Sequence, residues 1–273
     1  MVIVGELINA SRKSIKPMLE GKDAAGIAGV AREEVERGAH YIDVNAGIFV
    51  DKEPEYLKWA VETVQAEVDA PCSIDSPSYE AIEAALSVHK GTPLINSISL
   101  EKERYDNVMP ILTSSPDLRA IALCMDDDGM PETKDDRMRI ADKLVTKLTQ
   151  SGIKLDNIFV DPLVQPISTD DSYGLQFLNT VQAIHQAFPG IHTMCGLSNI
   201  SYGIPERKFA NRTFMAMAIA MGLDGAIMNP KDRQMMAAIV AAETLAGRDT
   251  YCENYLDAYR DGIFEPKKKA ASQ

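Results

Sequence analysis

The chain has 273 residues, 45% of them hydrophobic, and carries 40 Asp and Glu against 28 Lys and Arg, a net charge of −12. That length suits one domain able to bury a large core, and the acidic balance excludes a nucleic-acid binder, whose phosphate contacts demand clustered Lys and Arg. Four scattered cysteines (Cys72, Cys124, Cys195, Cys252) without a C-x-x-C pair exclude a disulfide scaffold and point to a reduced, cytoplasmic setting; no apolar run reaches the roughly 18–20 residues of a membrane span, so no membrane association is expected.

Val2–Asn9 (VIVGELIN) opens the chain as a strand and lacks the basic n-region of a signal peptide. Asp23–Gly38 follows with helical spacing and ends at a glycine suited to a C′ position. His40–Gly47 (HYIDVNAG) is the second strand, and Glu53–Val68 a helix with Tyr56, Leu57, Ala60, Val61 and Val64 on one stripe. Strand Pro71–Ser76 (PCSIDS), helix Ser78–His89 and strand Pro93–Ser99 (PLINSIS) come next. Ala120–Met125 (AIALCM) is the fifth strand; the acidic loop Asp126–Asp136 leads into the amphipathic helix Thr133–Ser151. The remaining elements are strand Asn157–Pro162 (NIFVDP), helix Asp171–Phe188, strand His192–Asn199 (HTMCGLSN), helix Pro205–Met221, strand Gly225–Asn229 (GAIMN), helix Lys231–Ala246 and a final helix Tyr251–Tyr259. Eight strands with helical stretches between them predict an α/β fold, a single closed parallel (β/α)8 TIM barrel. The barrel is expected over residues 1–264, with 265–273, including Lys267–Lys269, as a flexible tail. Phe214–Met221 and Met235–Ala242 are almost wholly apolar, so both faces of these helices are expected to be covered, by a second subunit in a homodimer or by the C-terminal helix.

Seven of the eight strands carry Asp, Asn or Glu toward their C-terminal ends, the end at which such barrels place their active sites. Glu6, Asn9, Asp43, Asn45, Asp75, Asn96, Asp161, Asn199 and Asn229 are therefore expected at one mouth. Strand alternation puts Ser73 with Asp75, Asp43 with Asn45, and Cys195 with Asn199 on shared sides. A dry, unpaired carboxylate is costly, so such a set needs partners in itself, in water or in a ligand. A planar heterocycle with adjacent N–H and amino donors and a carbonyl acceptor suits it: Asp75 and Asp161 can each accept two donors, while Asn96 reads the acceptor. A purine and a pterin fit this description equally. A phosphate ligand would want a P-loop or G-x-G-x-x-G, and the chain has neither. His192 and Cys195 form an H-x-x-C whose parity in an extended strand sends them to opposite faces, so no metal is expected. There is no G-x-S-x-G and no evident Cys–His pair for nucleophilic catalysis.

The ordered motifs GELIN (Gly5–Asn9), IDVNAG (Ile42–Gly47), SIDS (Ser73–Ser76), LINS (Leu94–Ser97), VDPL (Val160–Leu163), GLSN followed by IS (Gly196–Ser201), and NRTF (Asn211–Phe214) resemble those of the methyltetrahydrofolate:corrinoid methyltransferases. These belong to the wider pterin-binding, dihydropteroate-synthase-like barrel group that also holds the folate module of cobalamin-dependent methionine synthase. The resemblance runs from Val2 to about Tyr259 and departs at Leu7, where an Arg is usual after the Glu. It implies transfer of a methyl group between N5 of tetrahydrofolate and the cobalt of a corrinoid. The corrinoid would be carried by a separate protein, since this chain lacks the D-x-H-x-x-G cobalamin signature. Tetrahydrofolate or 5-methyltetrahydrofolate is then the substrate, and no metal is bound by this chain. By the same resemblance Asn199 is the catalytic residue facing N5, and Asp75, Asn96 and Asp161 hold the pterin ring. Gly196 and Ser198 shape its edge, Arg207 meets the open side of the folate, and Glu6 is a further contact. Asp43, Asn45, Ile227 and Asn229 complete the candidate lining. Two alternatives are a dihydropteroate-synthase-type enzyme and a non-catalytic folate-binding subunit. The first needs an S-x-R motif late in the barrel, whereas SRK occurs here only at Ser11–Lys13; the second does not require Asn199 near N5.

Overall fold

The computed structural model describes residues 1–265, so the expected tail from residue 266 onward, Lys267–Lys269 included, lies outside the described residues. Eight strands form one parallel sheet: β1 (Val2–Asn9), β2 (Tyr41–Asn45), β3 (Cys72–Asp75), β4 (Leu94–Ile98), β5 (Arg119–Leu123), β6 (Ile158–Asp161), β7 (His192–Thr193) and β8 (Gly225–Met228). β1 pairs with both β2 and β8, and a parallel bridge between Gly196 and Ile227 joins the two ends into a barrel. The outer layer is α1 (Lys16–Glu20), α2 (Ala24–Glu36), α3 (Glu53–Glu67), α4 (Tyr79–Leu86), α5 (Lys102–Thr113), α6 (Lys134–Gln150), α7 (Tyr173–Ala187), α8 (Arg207–Met221), α9 (Arg233–Leu245) and α10 (Glu253–Arg260). None of these helices is long and apolar enough to cross a membrane.

Local chemistry starts these helices where the apolar stripes begin. Ser78 caps α4 through the Ala81 amide, Asp232 caps α9, and Thr133 with Asp136 forms a reciprocal capping box on α6. Strand alternation divides the core in two. Val4, Tyr41, Leu94, Ile121, Phe159 and Met194 fill the lower barrel interior, while the opposite parity, as in Ile42, Val44, Ile74 and Ile95, packs under the helices.

Three differences from the sequence expectation have local causes. The helix α5 is not among those expected; it carries Pro110 in its interior, and no side chain caps its start. The seventh strand ends at Thr193, because Leu197–Ser201 forms a 3-10 turn. Extended parity thus relates neither Cys195 to Asn199 nor His192 to Cys195. Cys195 is buried, and the His192 ring lies 2.9 Å from Asp224 and 3.1 Å from Asp156. Finally, α9 packs against α8 on one side and α10 on the other, whereas α8 leaves Phe209 and Met217 exposed in the single chain.

The end of β6 is tied to α6 by Arg137, which is fully buried. Its guanidinium donates to the carbonyls of Pro162 (2.8 Å) and Glu132 (2.8 Å) and to Oε1 of Gln165 (2.5 Å). Arg137→Ala removes all of these donors at once and strands buried acceptors. It is expected to cost about 3 kcal/mol or more in urea unfolding; a loss below about 1 kcal/mol would show that the β6 end holds without it.

Candidate active site

The register β2–β3–β4 sets Asp43 opposite Ser73, Asn45 opposite Asp75, and Asp75 opposite Asn96. These side chains share the interior parity and meet above the apolar lower layer. Ser73 donates to Asp43 Oδ1 at 2.6 Å, and Asn96 Nδ2 donates to the same oxygen at 3.2 Å. Asn45 Nδ2 donates to Asp75 Oδ2 at 2.9 Å, while its Oδ1 accepts the Gly47 amide at 3.1 Å. Burial, and then the neighbouring Asp75 charge, push the Asp43 carboxyl well above the usual carboxylate range; Ser73 and Asn96 offset this only in part. Burial also raises Asp75, opposed by the Asn45 hydrogen bond and the charge of Arg104.

Asp161 ends β6 and is buried. Burial pushes its carboxyl up to about 7, against the backbone amides of Leu163 and Gly196, the former at 2.8 Å. Leu163 takes a positive φ of 65°, the turn that aims its amide back at this carboxyl.

The 3-10 turn after β7 carries Ser198 and Asn199, both exposed, just after Gly196. Arg207 pins this turn: Nη2 donates to the Ser198 carbonyl at 2.6 Å and Nε to Ser201 Oγ at 3.0 Å. Asn199 Nδ2 donates to the Val164 carbonyl at 2.7 Å, so its amide hydrogens face the β6 loop. On β1, Glu6 accepts from Arg12 Nη2 at 2.6 Å, which places a guanidinium beside it although position 7 is Leu. Asn9, in contrast, spends Oδ1 on the amide and hydroxyl of Ser11, forming a turn. Asn229 likewise accepts the Lys231 amide at 2.9 Å, and Ile227 packs half-buried against the lower interior layer.

The mouth holds two recesses. A cavity of about 540 Å³ over β3 and β4 is lined by Asp75, Asn96, Ser97, Arg104 and Leu123, among others. A smaller one, about 260 Å³, lies toward β1, β7 and β8 and is lined by Glu6, Ser198, Asn211 and Asn229. In ring order Asp161 stands between them, and the turn that carries Asn199 borders the smaller one. Sequence reasoning missed Arg104, because it rides on the unrecognised α5. Its Nε donates to the Ser97 carbonyl at 2.7 Å and Nη1 to the Pro77 carbonyl at 3.0 Å, clamping the loop after β3 to the end of β4 beside Asp75. It also missed Glu53, whose buried carboxylate accepts from Ser76 at 2.5 Å. In the sequence Arg104 is one of two cations in the charge-alternating run EKER, which gives no cue to its role. Among the described residues no three His, Cys, Asp or Glu side chains group as metal ligands.

Residues 5–229 match the family described as pterin binding enzyme. The chain belongs to the pterin-binding enzyme family. It is 36% identical over 267 residues to a methylcorrinoid:tetrahydrofolate methyltransferase of Eubacterium limosum, covering 97% of this chain and 98% of that protein. It is 24% identical over 242 residues to methionine synthase of Mycobacterium tuberculosis, covering 84% of this chain but 20% of that larger protein. Among solved structures, a Yersinia pestis dihydropteroate synthase in a sulfonamide complex superposes with a TM-score of 0.71 at 12% identity, over 90% of this chain and 94% of that one. A Xanthomonas albilineans dihydropteroate synthase with 4-aminobenzoic acid gives 0.67 at 18% identity, over 89% and 90%. These two share the fold.

A donor facing Asp161 meets a full acceptor only when that carboxyl is ionised, and in the free protein it is protonated below about pH 7. Affinity for a tetrahydropterin is therefore expected to rise about tenfold between pH 6 and pH 8, and Asp161→Asn to flatten that dependence. Calorimetric titration of both proteins at the two pH values checks this; a flat wild-type profile would remove Asp161 from ligand contact.

Proposed function

We propose that the protein is a methyltransferase that moves a methyl group between N5 of tetrahydrofolate and the cobalt of a corrinoid carried by a separate protein. The observation that carries this reading is the polar recess over Asp75 and Asn96, on a chain that shares nearly its whole length with the Eubacterium limosum methyltransferase. Its volume of about 540 Å³ falls within the range of small-molecule sites. Asp75 offers a carboxylate to the amino and N–H edge of a pterin. Asn96 gives one amide hydrogen to Asp43 and keeps the other for a ring carbonyl. Asp161, Gly196 and Ser198 border the ring, and Asp43 and Asn45 fix the residues that touch it. Arg207 holds the turn on which Asn199 rides, with Glu6, Ile227 and Asn229 on the far rim.

A methyl group on a tertiary amine is a poor electrophile, because the leaving nitrogen would depart as an anion. Protonation at N5, or a hydrogen bond that strengthens as the N–CH3 bond breaks, stabilises the transition state selectively. Asn199 is the side chain assigned to that atom. A rotation that releases the Val164 carbonyl turns its amide toward the mouth. The corrinoid supplies the cobalt that takes or gives the methyl group. Both directions of transfer use the same site and the same transition state. The partner protein enters by the open mouth, near the acidic loop Asp126–Asp136. The exposed Phe209 and Met217 of α8 are the face assigned to a homodimer, and the setting is cytoplasmic. A dihydropteroate-synthase-type reaction is disfavoured: Arg12 of the Ser11–Lys13 motif is already bonded to Glu6 and sits after β1, not late in the barrel.

Mixing the protein with free reduced cobalamin and 5-methyltetrahydrofolate is expected to convert the cobalt spectrum to the methylated form. No conversion in either direction, with tetrahydrofolate binding intact, would leave a folate-binding subunit.

Asn199→Ala should lower the single-turnover methylation rate at saturating folate by about a hundredfold, near the low end of the ~2.7–4 kcal/mol of a donor aimed at developing charge. Folate affinity should change far less, since the ring's acceptors remain. Parallel rate and calorimetric measurements decide the matter: lost affinity with an unchanged saturated rate would make Asn199 a binding residue.

A further inference from the structure

Glu34 is buried on the inner face of α2, and none of the candidate site residues lies on that helix. Its carboxyl is wedged beneath β1. Oε1 accepts the Leu7 amide at 3.0 Å, and Oε2 is buried without a hydrogen-bond partner. A Cβ placed on Gly5 would stand 2.5 Å from Oε1 and 2.7 Å from the carboxyl carbon, so the space a side chain at position 5 would take is filled by Glu34. The pairing of β1 with β2 shifts register between Gly5 and Ile8. Glu6 and Leu7 are the residues inside that irregularity, and it is the Leu7 amide that Glu34 takes up. Irregularities of this kind re-aim a side chain at the rim of a barrel. The side chain re-aimed here is Glu6, which lines the smaller recess and meets Arg12.

We propose that Glu34 is a positioning residue: locked against Gly5 and the Leu7 amide, its carboxyl fixes the irregular segment of β1 and thereby aims the Glu6 carboxylate into the barrel mouth. The inference rests on the proposed folate site only in treating Glu6 as a folate contact. The wedge is an acid held above the usual carboxylate range. Burial raises its pKa to about 8; the Glu6 charge raises it further, while the Leu7 amide, Arg12 and Lys231 pull it down. Glu34 in turn raises Asp43. Glu6 on β1, Arg12 in the turn after it, Asp43 on β2 and Lys231 after β8 are thus the charged groups that act on it or respond to it. Because the folded-state value lies above the ordinary one, the folded chain holds a proton that the unfolded chain releases above about pH 4.5. Stability associated with this group is full below that pH and declines as pH rises toward 8.

The test uses the full chain with methyl transfer from 5-methyltetrahydrofolate as the assay. Glu34→Ala is expected to raise the folate KM about tenfold with kcat little changed, the pattern of a lost uniform binding contact. Glu34→Gln keeps the volume and the acceptor for Leu7 and should restore KM to within about twofold of wild type. In a Glu6→Gln background Glu34→Ala should no longer move KM, whereas an equal fold-change there would mean that Glu34 does not act through Glu6 and would overturn the proposal. Should Glu34→Ala fail to fold, Gly5→Ala, which pushes the carboxyl off its seat, reads the same KM change. Absence of any wild-type turnover would instead contradict the methyl-transfer reading. The carbon resonance of the Glu6 carboxyl still reports on Glu34 in that case. Glu34→Ala should shift it and Glu34→Gln should leave it near its wild-type position; no shift in Glu34→Ala would overturn the proposal.

Discussion

A carboxyl group sealed inside a barrel cannot stay charged without close partners, and Asp43 is the group on which the arrangement of this mouth depends. One of its oxygens accepts from Ser73 on β3 and from Asn96 on β4, so a single side chain on β2 fixes the polar floor contributed by three adjacent strands. Asp75 lies on the same floor, and two buried neighbouring carboxyls do not ionise independently. Burial and the Asp75 charge push the deeper one, Asp43, well above the usual carboxylate range. The outer one, Asp75, has an amide from Asn45 and the nearby Arg104 guanidinium to favour its charge. The result is an outer acceptor over a floor whose own carboxyl resists ionisation. That suits a ligand edge rich in N–H donors and offers little to a phosphate.

The rest of the mouth differs in how firmly it is held. Asp161 stands on a segment braced by Arg137, whose guanidinium joins the Pro162 carbonyl just after β6 to the Glu132 carbonyl just before α6. Asn199 is exposed on a turn whose Leu197, Ile200 and Ser201 are buried; Arg207 ties that turn down, and the Asn199 amide is engaged with the β6 loop. In the proposed reaction the acceptors on the strands would hold the heterocycle while the amide on the turn acts on one of its nitrogens. Binding energy from those acceptors can then orient the substrate while the amide works mainly in the transition state.

Much of this was legible in the chain. The bounds of β1 agree to the residue with the expected strand, and alternation alone put Asp43 with Asn45 and Ser73 with Asp75 on shared sides, which face the interior and bond across the strands. The seventh strand misled because HTMCGLSN is apolar enough to read as extended, while Leu197–Ser201 winds into a 3-10 turn. Pro110 hid α5, and with it Arg104. Asn9 stood at the right end of a strand yet turned its oxygen on its own loop. Glu34 was readable and passed over: Ile27, Ala31 and Glu34 share one buried stripe of α2, but an acid in the run REEVE looks like part of a solvated face. What sequence spacing does not encode is which acid a helix turns inward, because that is settled by the missing side chain at Gly5 on a different element.

The central claim is that the β3–β4 side of the mouth holds the pterin with N5 turned toward the β7 turn. A crystal structure of the protein with 5-methyltetrahydrofolate tests it most directly. The account predicts the ring hydrogen-bonded to Asp75, Asn96 and Asp161, with the Asn199 amide released from Val164 and within hydrogen-bond reach of N5. A ring seated instead between Glu6 and Asn229, with Asn199 still bonded to Val164, would contradict it.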